Sequence, residues 1–402
     1  MKKVVIIGGG AAGFFTAINA KEKNALLDIT ILEKGKEVLQ KVKISGGGRC
    51  NVTHACFEPK ELVKFYPRGE KELLGPFHQF MTGDTFEWFD FRGVSLKIEE
   101  DNRVFPEANT SEAIINCFQE KVSDLGIKVL KNQGVISVDK EQDLWKISTK
   151  SNIFYAHKLV VAAGSSKKIW DICSSLQHTI IPPVPSLFTF NIKDKRLTDL
   201  LGISVSNATV NIVGTKLEAS GPLLITHWGM SGPAVLKLSA FGARILADRN
   251  YQYNVEVNWL SRPTDKILNV LLNLKKKEPR KTVILKSPFA EIPKRLWERF
   301  VKFSNIDANQ NWADLNSYQL DNLANQLTKG VYNANGRTTF KEEFVTAGGA
   351  DLKEINFKRF ESKLHKNLFF VGEVLNIDAV TGGFNFQNAW TSGYICANSL
   401  AE

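Results

Sequence analysis

Gly8-Gly9-Gly10-Ala11-Ala12-Gly13 satisfies the spacing GxGxxG. Glycines at that spacing let a chain turn tightly, bring backbone N–H groups against a pyrophosphate and seat a helix close to a strand. Gly8 serves the turn, Gly10 the approach of backbone to phosphate, with Ala12 beside it, and Gly13 the packing. The N-terminus of the helix that follows adds unpaired N–H groups and a partial positive charge. Glu33 lies about 20 residues beyond Gly13, where a carboxylate accepts hydrogen bonds from the ribose hydroxyls of an adenosine. Without the glycines, Glu33 would read as a solvated glutamate before a turn.

This fingerprint does not separate NAD from FAD, but two distant segments do. Val160-Val161-Ala162-Ala163-Gly164 reads as a strand ending in small residues, which lets backbone pass close to a cofactor. Far downstream, Leu368 to Val371 leads into Gly372-Glu373, whose acid suits the ribityl chain of a flavin. Thr381-Gly382-Gly383-Phe384-Asn385 then opens a helix expected over Gln387 to Leu400. That helix would aim its N-terminus at the flavin ring, stabilising negative charge at the N1/O2 edge. The glycine triplet before Arg49 and Asn51 offers N–H groups for phosphate or ribityl contacts. The expected FAD-contacting set is Gly8, Gly10, Ala12, Gly13, Glu33, Lys34, Gly48, Arg49, Asn51, Val135, Ala163, Gly164, Gly372, Glu373, Gly382, Gly383, Phe384 and Asn385.

His227 is the candidate catalytic residue. It is read as lying between a strand end and a helix start, where an imidazole can donate or accept a proton as hydride moves. The alternative is that it stabilises the turn, with Thr226 and Ser231 as helix caps. Cys50 and Cys56 invite comparison with dithiol flavoenzymes, but the CxxxxxC spacing argues for an unreactive Cys50. Five cysteines, an odd number with no CxxC pair, argue against a disulfide framework and a structural zinc site, and no metal is expected. No second GxGxxG follows a strand, so a separate NAD(P)H domain is not expected. NAD(P)H remains a candidate transient reductant that visits the flavin.

These residues need elements to hold them. Lys3–Ile7 reads as a buried parallel strand, 11–23 as a helix and Asp28–Leu32 as a second strand, a βαβ unit of roughly 30 residues. Residues 34–110 read as irregular, with helical stretches at 59–65 and 85–91, and Ser111 as the N-cap of a helix through Leu125. Pro182, Pro183 and Pro185 mark a boundary. Strands are expected at 187–192, 209–213, 223–226 and 251–257, with a helix over 232–246 among them. From Arg262-Pro263 to Lys329 the pattern is helical, and after Gly330 it is extended again.

The chain has 402 residues, 43% hydrophobic and 23% charged, with a formal charge of +10. No apolar run approaches the ~18 residues of a membrane span. Lys2-Lys3 before Val4 faintly resembles a signal peptide, but the apolar stretch is too short. A cytoplasmic location and no membrane association are therefore expected, and no obligate protein partner is readable. The excess charge would suit phosphates, nucleic acid or an acidic membrane, although an incidental excess is slightly favoured; Lys275, Lys276, Lys277, Arg280 and Lys281 form its visible cluster.

The sequence resembles the BaiN-like flavoproteins, also called aminoacetone-oxidase-like, within the NAD(P)/FAD-dependent oxidoreductases. The resemblance spans nearly the whole chain. It is carried by GGGAAG at Gly8, SGGGRCN at Ser45, RVFP at Arg103, THWGMSGP at Thr226, VTAGG at Val345 and GEVLNIDAVTGGFNFQNAW at Gly372. Asn376, Ala379 and Phe384 depart from a usual Asp, Gly and Tyr. The resemblance implies an α/β fold: a glutathione-reductase-like Rossmann domain for FAD (1–186 and 348–402), an inserted β-barrel-like domain (187–261 and 330–347) and a small helical domain (262–329). It also implies an oxidoreductase moving hydride between flavin N5 and a substrate carbon. Candidate substrates are a conjugated C=C in a small molecule, uridine in ribosomal RNA, or a small amine oxidised with O2. A non-catalytic redox-sensing or RNA-binding flavoprotein is the alternative from another class.

Overall fold

Val4, Val5, Ile6 and Ile7 are all buried, as a central parallel strand requires when both its faces are covered. They sit in the middle of a seven-stranded sheet in the computed structural model, which describes residues 1–338 and 345–402. The sheet order is Ile355–Asn356, Glu361–Ser362, Leu368–Phe370, Lys158–Val161, Lys3–Ile7, Asp28–Leu32, Lys128–Leu130. The last five run parallel, and the two short strands at the other edge pair antiparallel. Register aligns the strand ends. Ile7 stands between Leu32 and Val161, and Val161 pairs with Phe370. The segments that leave these strands therefore emerge along one edge, the carboxyl edge where ligands bind in open α/β sheets.

The helix Ala11–Lys23 packs along the C-terminal helix Phe384–Ala401. Gly393 permits the approach, since a Cβ there would lie 3.0 Å from Thr16 Oγ1 and 3.4 Å from the Ala12 carbonyl. An aromatic cluster locks the pair: Phe15, Phe89 and Phe118 lie with ring centroids 5.2, 5.9 and 5.7 Å from Trp390. Trp390 Nε1 donates to the Val52 carbonyl at 2.9 Å, so its one polar atom is satisfied. A three-stranded meander (Val135–Glu141, Leu144–Thr149, Ile153–Ala156) also packs on the sheet.

The second part of the chain is a closed six-stranded barrel of Thr189–Ile192, Gly229–Ser231, Glu218–Ile225, Ser204–Ile212, Gln252–Asn258 and Gly330–Thr338. Its strands alternate: Tyr253, Val255 and Val257 are buried between exposed or half-buried neighbours. The helices Thr264–Lys277, Lys294–Phe303 and Ser317–Thr328 share a continuous core with the barrel through Trp259, Leu271, Trp297, Phe300 and Leu323. The chain divides into two compact units, 1–184 with 341–402, and 185–340. Residues 339–344 of the expected 330–347 segment lie outside the described residues. Among the described residues, no helix is long and apolar enough to cross a membrane.

The Rossmann-type α/β class and the inserted barrel agree with the expectation. Local readings needed correction. Residues 34–110 hold a three-stranded antiparallel sheet of Thr53–His54, Leu96–Ile98 and Arg103–Pro106, strands too short to show alternation. The helix expected over 232–246 is two, Pro233–Phe241 and Ala243–Asp248, separated at Gly242. Ser111 makes no side-chain cap; its Oγ donates to the Lys43 carbonyl instead.

Trp390 is wholly buried, whereas Phe91 is 84% exposed. Trp390→Ala should cost about 3–5 kcal/mol through transfer and cavity terms, and Phe91→Ala at most about 0.5 kcal/mol. Urea unfolding followed by far-UV circular dichroism reads both; equal losses would contradict the packing described.

Candidate functional site

The first glycine turn is built by close approach. Gly8 has φ +117°, its N–H donates to the Leu32 carbonyl at 2.9 Å, and a Cβ on it would lie 2.4 Å from the Ala162 carbonyl oxygen. A Cβ on Gly13 would lie 2.1 Å from the Gly8 carbonyl. Gly10 is different: nothing lies within 4 Å of its Cβ position. Gly10 is the N-cap of the first helix, without a side-chain cap and with no acid in the first turn, so that helix end faces open space with its dipole uncompensated. An open helix N-terminus of this kind is the sort of place that suits an anion.

Glu33 closes the turn on one side. Its Oε2 accepts from Gly9 N at 2.9 Å and its Oε1 from Gly35 N at 2.7 Å. The segment before Val135 is stitched to the same place, since Gln133 N donates to the Glu33 carbonyl and Asn132 N to that of Gly35. A Cβ on Gly134 would lie 3.6 Å from Lys34 Cβ, so exposed Lys34 and buried Val135 flank the end of this strand.

On the other side, Gly164 has φ +58°, and its Cβ position is 3.6 Å from Glu373 Oε2. Gly372, at φ +72°, would place a Cβ 3.0 Å from Ala12 Cβ, and its N–H donates to Ser392 Oγ at 3.0 Å. The end of the 158–161 strand beyond Ala163, the first helix and Gly372-Glu373 thus meet. Lys41 pairs with Glu373 at 2.5 Å across 332 positions of sequence, a partner that no local pattern discloses.

Gly46, Gly47 and Gly48 take φ of +58°, +68° and +84° in succession, a conformation that residues with side chains rarely adopt. Gly47 opens onto empty space, whereas a Cβ on Gly46 would lie 2.9 Å from Phe105. The Arg49 guanidinium is held 2.6 Å from Glu99 and lies 3.9 Å over the Phe105 ring. The Asn51 amide accepts from Gly383 N at 3.0 Å and donates to the carbonyls of Thr53 and Val104. Asn51 therefore ties the glycine loop to the start of the C-terminal helix.

That start is tightly constrained. Gly383, at φ +94°, would place a Cβ 2.3 Å from the Thr53 carbonyl, and Gly382, at φ +130°, lies against His54. Phe384 is buried in a stack with Phe65 (4.3 Å) and His54 (4.4 Å), and Tyr66 Oη donates to its carbonyl. Asn385 Oδ1 accepts from Ala379 N. The first turn carries no acid. Sequence reasoning missed three contributors here. His54 Nδ1 lies 3.1 Å from the Gly382 carbonyl, and burial lowers its pKa below the ordinary histidine value. Arg68 and Asp378 form a bidentate pair that anchors the loop before Gly382. Among the described residues, Asn376 Oδ1 and both amide atoms of Asn388 are buried without a partner, one on each side of Gly382-Gly383. Such atoms fit a site whose polar ligand completes their bonding.

The position expected for His227, directly between a strand end and a helix start, needs correction. The residue occupies a tight turn, with His227 and Trp228 exposed at the tip and Thr226 and Gly229 bonded across it, and the strand Gly229–Ser231 separates it from the next helix. That helix is capped by Gly232 without a side-chain bond; Thr226 Oγ1 bonds to the Gly229 carbonyl, and Ser231 Oγ accepts from Thr189. Cys50 is wholly buried, and burial pushes its thiol up to about 12. All five cysteines are free, and among the described residues no cluster of metal-ligating side chains forms.

Comparison with known proteins agrees with this architecture. The ribosomal RNA dihydrouridine synthase of Haemophilus influenzae is 28% identical over 99% of this chain and 98% of its own. The 3-dehydro-bile acid delta(4,6)-reductase of Clostridium scindens is 24% identical over 100% of both. The solved structure of 3-ketosteroid delta1-dehydrogenase from Sterolibacterium denitrificans, in complex with 1,4-androstadiene-3,17-dione, aligns over the full length of both chains with a TM-score of 0.51 at 10% identity, a likeness of fold. The HI0933-like protein Rossmann domain matches residues 2–399, and the chain belongs to that family.

Proposed function

We propose that this protein is an FAD-dependent oxidoreductase that reduces a C=C bond conjugated to a carbonyl, with uridine in ribosomal RNA as the favoured substrate. The observation that carries the flavin assignment is the open space at Gly10, in a turn that Glu33 joins through Gly9 and that Gly372-Glu373 joins through Ala12. In this reading, the Gly8–Gly13 turn with Ala12 holds the pyrophosphate, and Glu33 takes the ribose hydroxyls, with Lys34 and Val135 beside it. Gly48, Asn51, Ala163, Gly164, Gly372 and Glu373 line the ribityl end. Arg49, held by Glu99, supports the glycine loop. Gly382, Gly383, Phe384 and Asn385 present the C-terminal helix N-terminus to the N1/O2 edge, favouring negative charge there. When bound, FAD supplies the hydride carrier, reloaded by NAD(P)H as a transient reductant.

Two relatives bear names that describe products or targets of C=C reduction, a dihydrouridine synthase and a delta(4,6)-reductase, which supports this choice of reaction. The formal charge of +10 favours RNA over a neutral small molecule. Hydride arriving at such a bond leaves an enolate that needs a proton. We assign His227, exposed on its turn, as the donor or the organiser of a donating water.

Denatured protein should release FAD and not FMN, as read by chromatography of the supernatant. Glu33→Ala should weaken FAD binding at least about tenfold, since a charged hydrogen bond to a hydroxyl is worth about 1.5–3 kcal/mol; unchanged affinity would contradict the ribose role.

Mass spectrometry of ribosomal RNA from cells with and without the gene should show dihydrouridine only in the former. Equal content, together with turnover of a small enone that is insensitive to salt, would remove the RNA substrate and leave the flavoenzyme standing.

A further inference from the structure

Within the reading of RNA as substrate, we infer that the RNA-docking surface belongs to the second compact unit and is centred on Lys276, Lys277, Arg280 and Lys286. The chain's positive charge is not spread evenly. Residues 185–340 contain 21 Lys and Arg against 12 Asp and Glu, a net +9, whereas the rest of the chain contains 31 against 30, a net +1. The unit that builds the dinucleotide turn is almost neutral, and nearly the whole excess sits on the barrel and its helices.

Within that unit, the densest cluster lies where the helix Thr264–Lys277 ends. Basic residues in a last helical turn ordinarily complement the helix dipole. Two cations of the cluster, one in that turn and one beyond it, already have local bonds. Lys275 Nζ donates to the Leu315 carbonyl, and Lys281 pairs with Glu278 at 2.9 Å. Lys276, Lys277, Arg280 and Lys286 are exposed, and among the described residues none has a hydrogen-bond or ion-pair partner. The loop that carries Arg280 and Lys286 is held in place, since Trp312 N donates to the Lys281 carbonyl, Ala313 N to that of Pro279, and Val283 N to that of Gln310. Four unpaired cations are thus presented from one helix end and a fastened loop, with Leu285, 64% exposed, among them. Like charges at such spacing repel one another and add nothing to the core, which is built by Leu271, Val283 and Trp312. A polyphosphate backbone supplies the missing counter-charge, releasing its own counterions as it binds.

The test is binding of an unmodified ribosomal RNA transcript to the flavin-loaded full-length protein across a series of salt concentrations. The variant Lys276→Glu/Lys277→Glu/Arg280→Glu should bind at least about tenfold more weakly at moderate salt, and the slope of log affinity against log salt should fall by roughly two to three. A control of equal charge change in the other unit, Lys60→Glu/Lys71→Glu/Lys150→Glu, uses exposed lysines and should keep both affinity and slope near wild type. Flavin content should be unchanged in both, which reports that both are folded. Equal weakening by the two triple variants, or none by the first, would overturn the docking surface while leaving RNA as substrate. A wild-type protein that binds the transcript with no salt dependence, or not at all, would remove the RNA reading and the surface with it, and leave the flavin assignment untouched.

Discussion

At three glycines of the first unit, backbone lies directly on backbone, and the candidate site depends on those contacts. Cβ positions on Gly8, Gly13 and Gly383 fall 2.4, 2.1 and 2.3 Å from carbonyl oxygens of Ala162, Gly8 and Thr53. No side chain fits at such distances, and Gly8 and Gly383 also take positive φ. The first two contacts draw the 3–7 strand, the 158–161 strand and the first helix together. The third seats the C-terminal helix against the loop that follows the glycine triplet. The register of the parallel strands does the rest, since Ile7, Leu32, Val161 and Phe370 end at one level.

The two ends of the chain are interdependent for this reason. The first and last helices pack through Gly393 and the Trp390 cluster, and Asn51 bonds to Gly383. Glu373 faces both Gly164 and Lys41, so one carboxylate reports on three distant segments. Asn376 Oδ1 and both amide atoms of Asn388, buried without partners, lie in sequence on either side of Gly382-Gly383. Buried polar atoms without partners cost about 1–3 kcal/mol each, a cost that a polar ligand at the proposed site would offset.

Much of this was legible in the sequence because its determinants are local. GxGxxG, Glu33 at the end of the next strand and the Gly-rich start of the last helix each announce a backbone conformation within a few residues. The alternation in 252–258 is equally local. What was not legible is long-range or short. Lys41 with Glu373 and Arg68 with Asp378 join segments about 300 residues apart, and no spacing rule connects them. His54 went unread because its stack on Phe384 depends on the strand Thr53–His54, two residues long. His227 was read as preceding a helix because the strand Gly229–Ser231 is too brief to show a period. The commitment of Arg49 to Glu99 and Phe105 likewise depends on a sheet that sequence periodicity does not reveal.

In the proposed reading, the space before the first helix is a cofactor's phosphate site rather than an accident of packing. Gly10 tests it directly, since its backbone (φ −97°, ψ −170°) suits any residue and its Cβ position meets nothing. Asn is a favoured N-cap and should leave the apoprotein as stable as wild type, while filling the opening and taking up its N–H groups. Gly10→Asn, purified alongside wild type, should therefore unfold as apoprotein at the same temperature yet carry little or no FAD. A Gly10→Asn protein that retains the full wild-type FAD content would contradict the account.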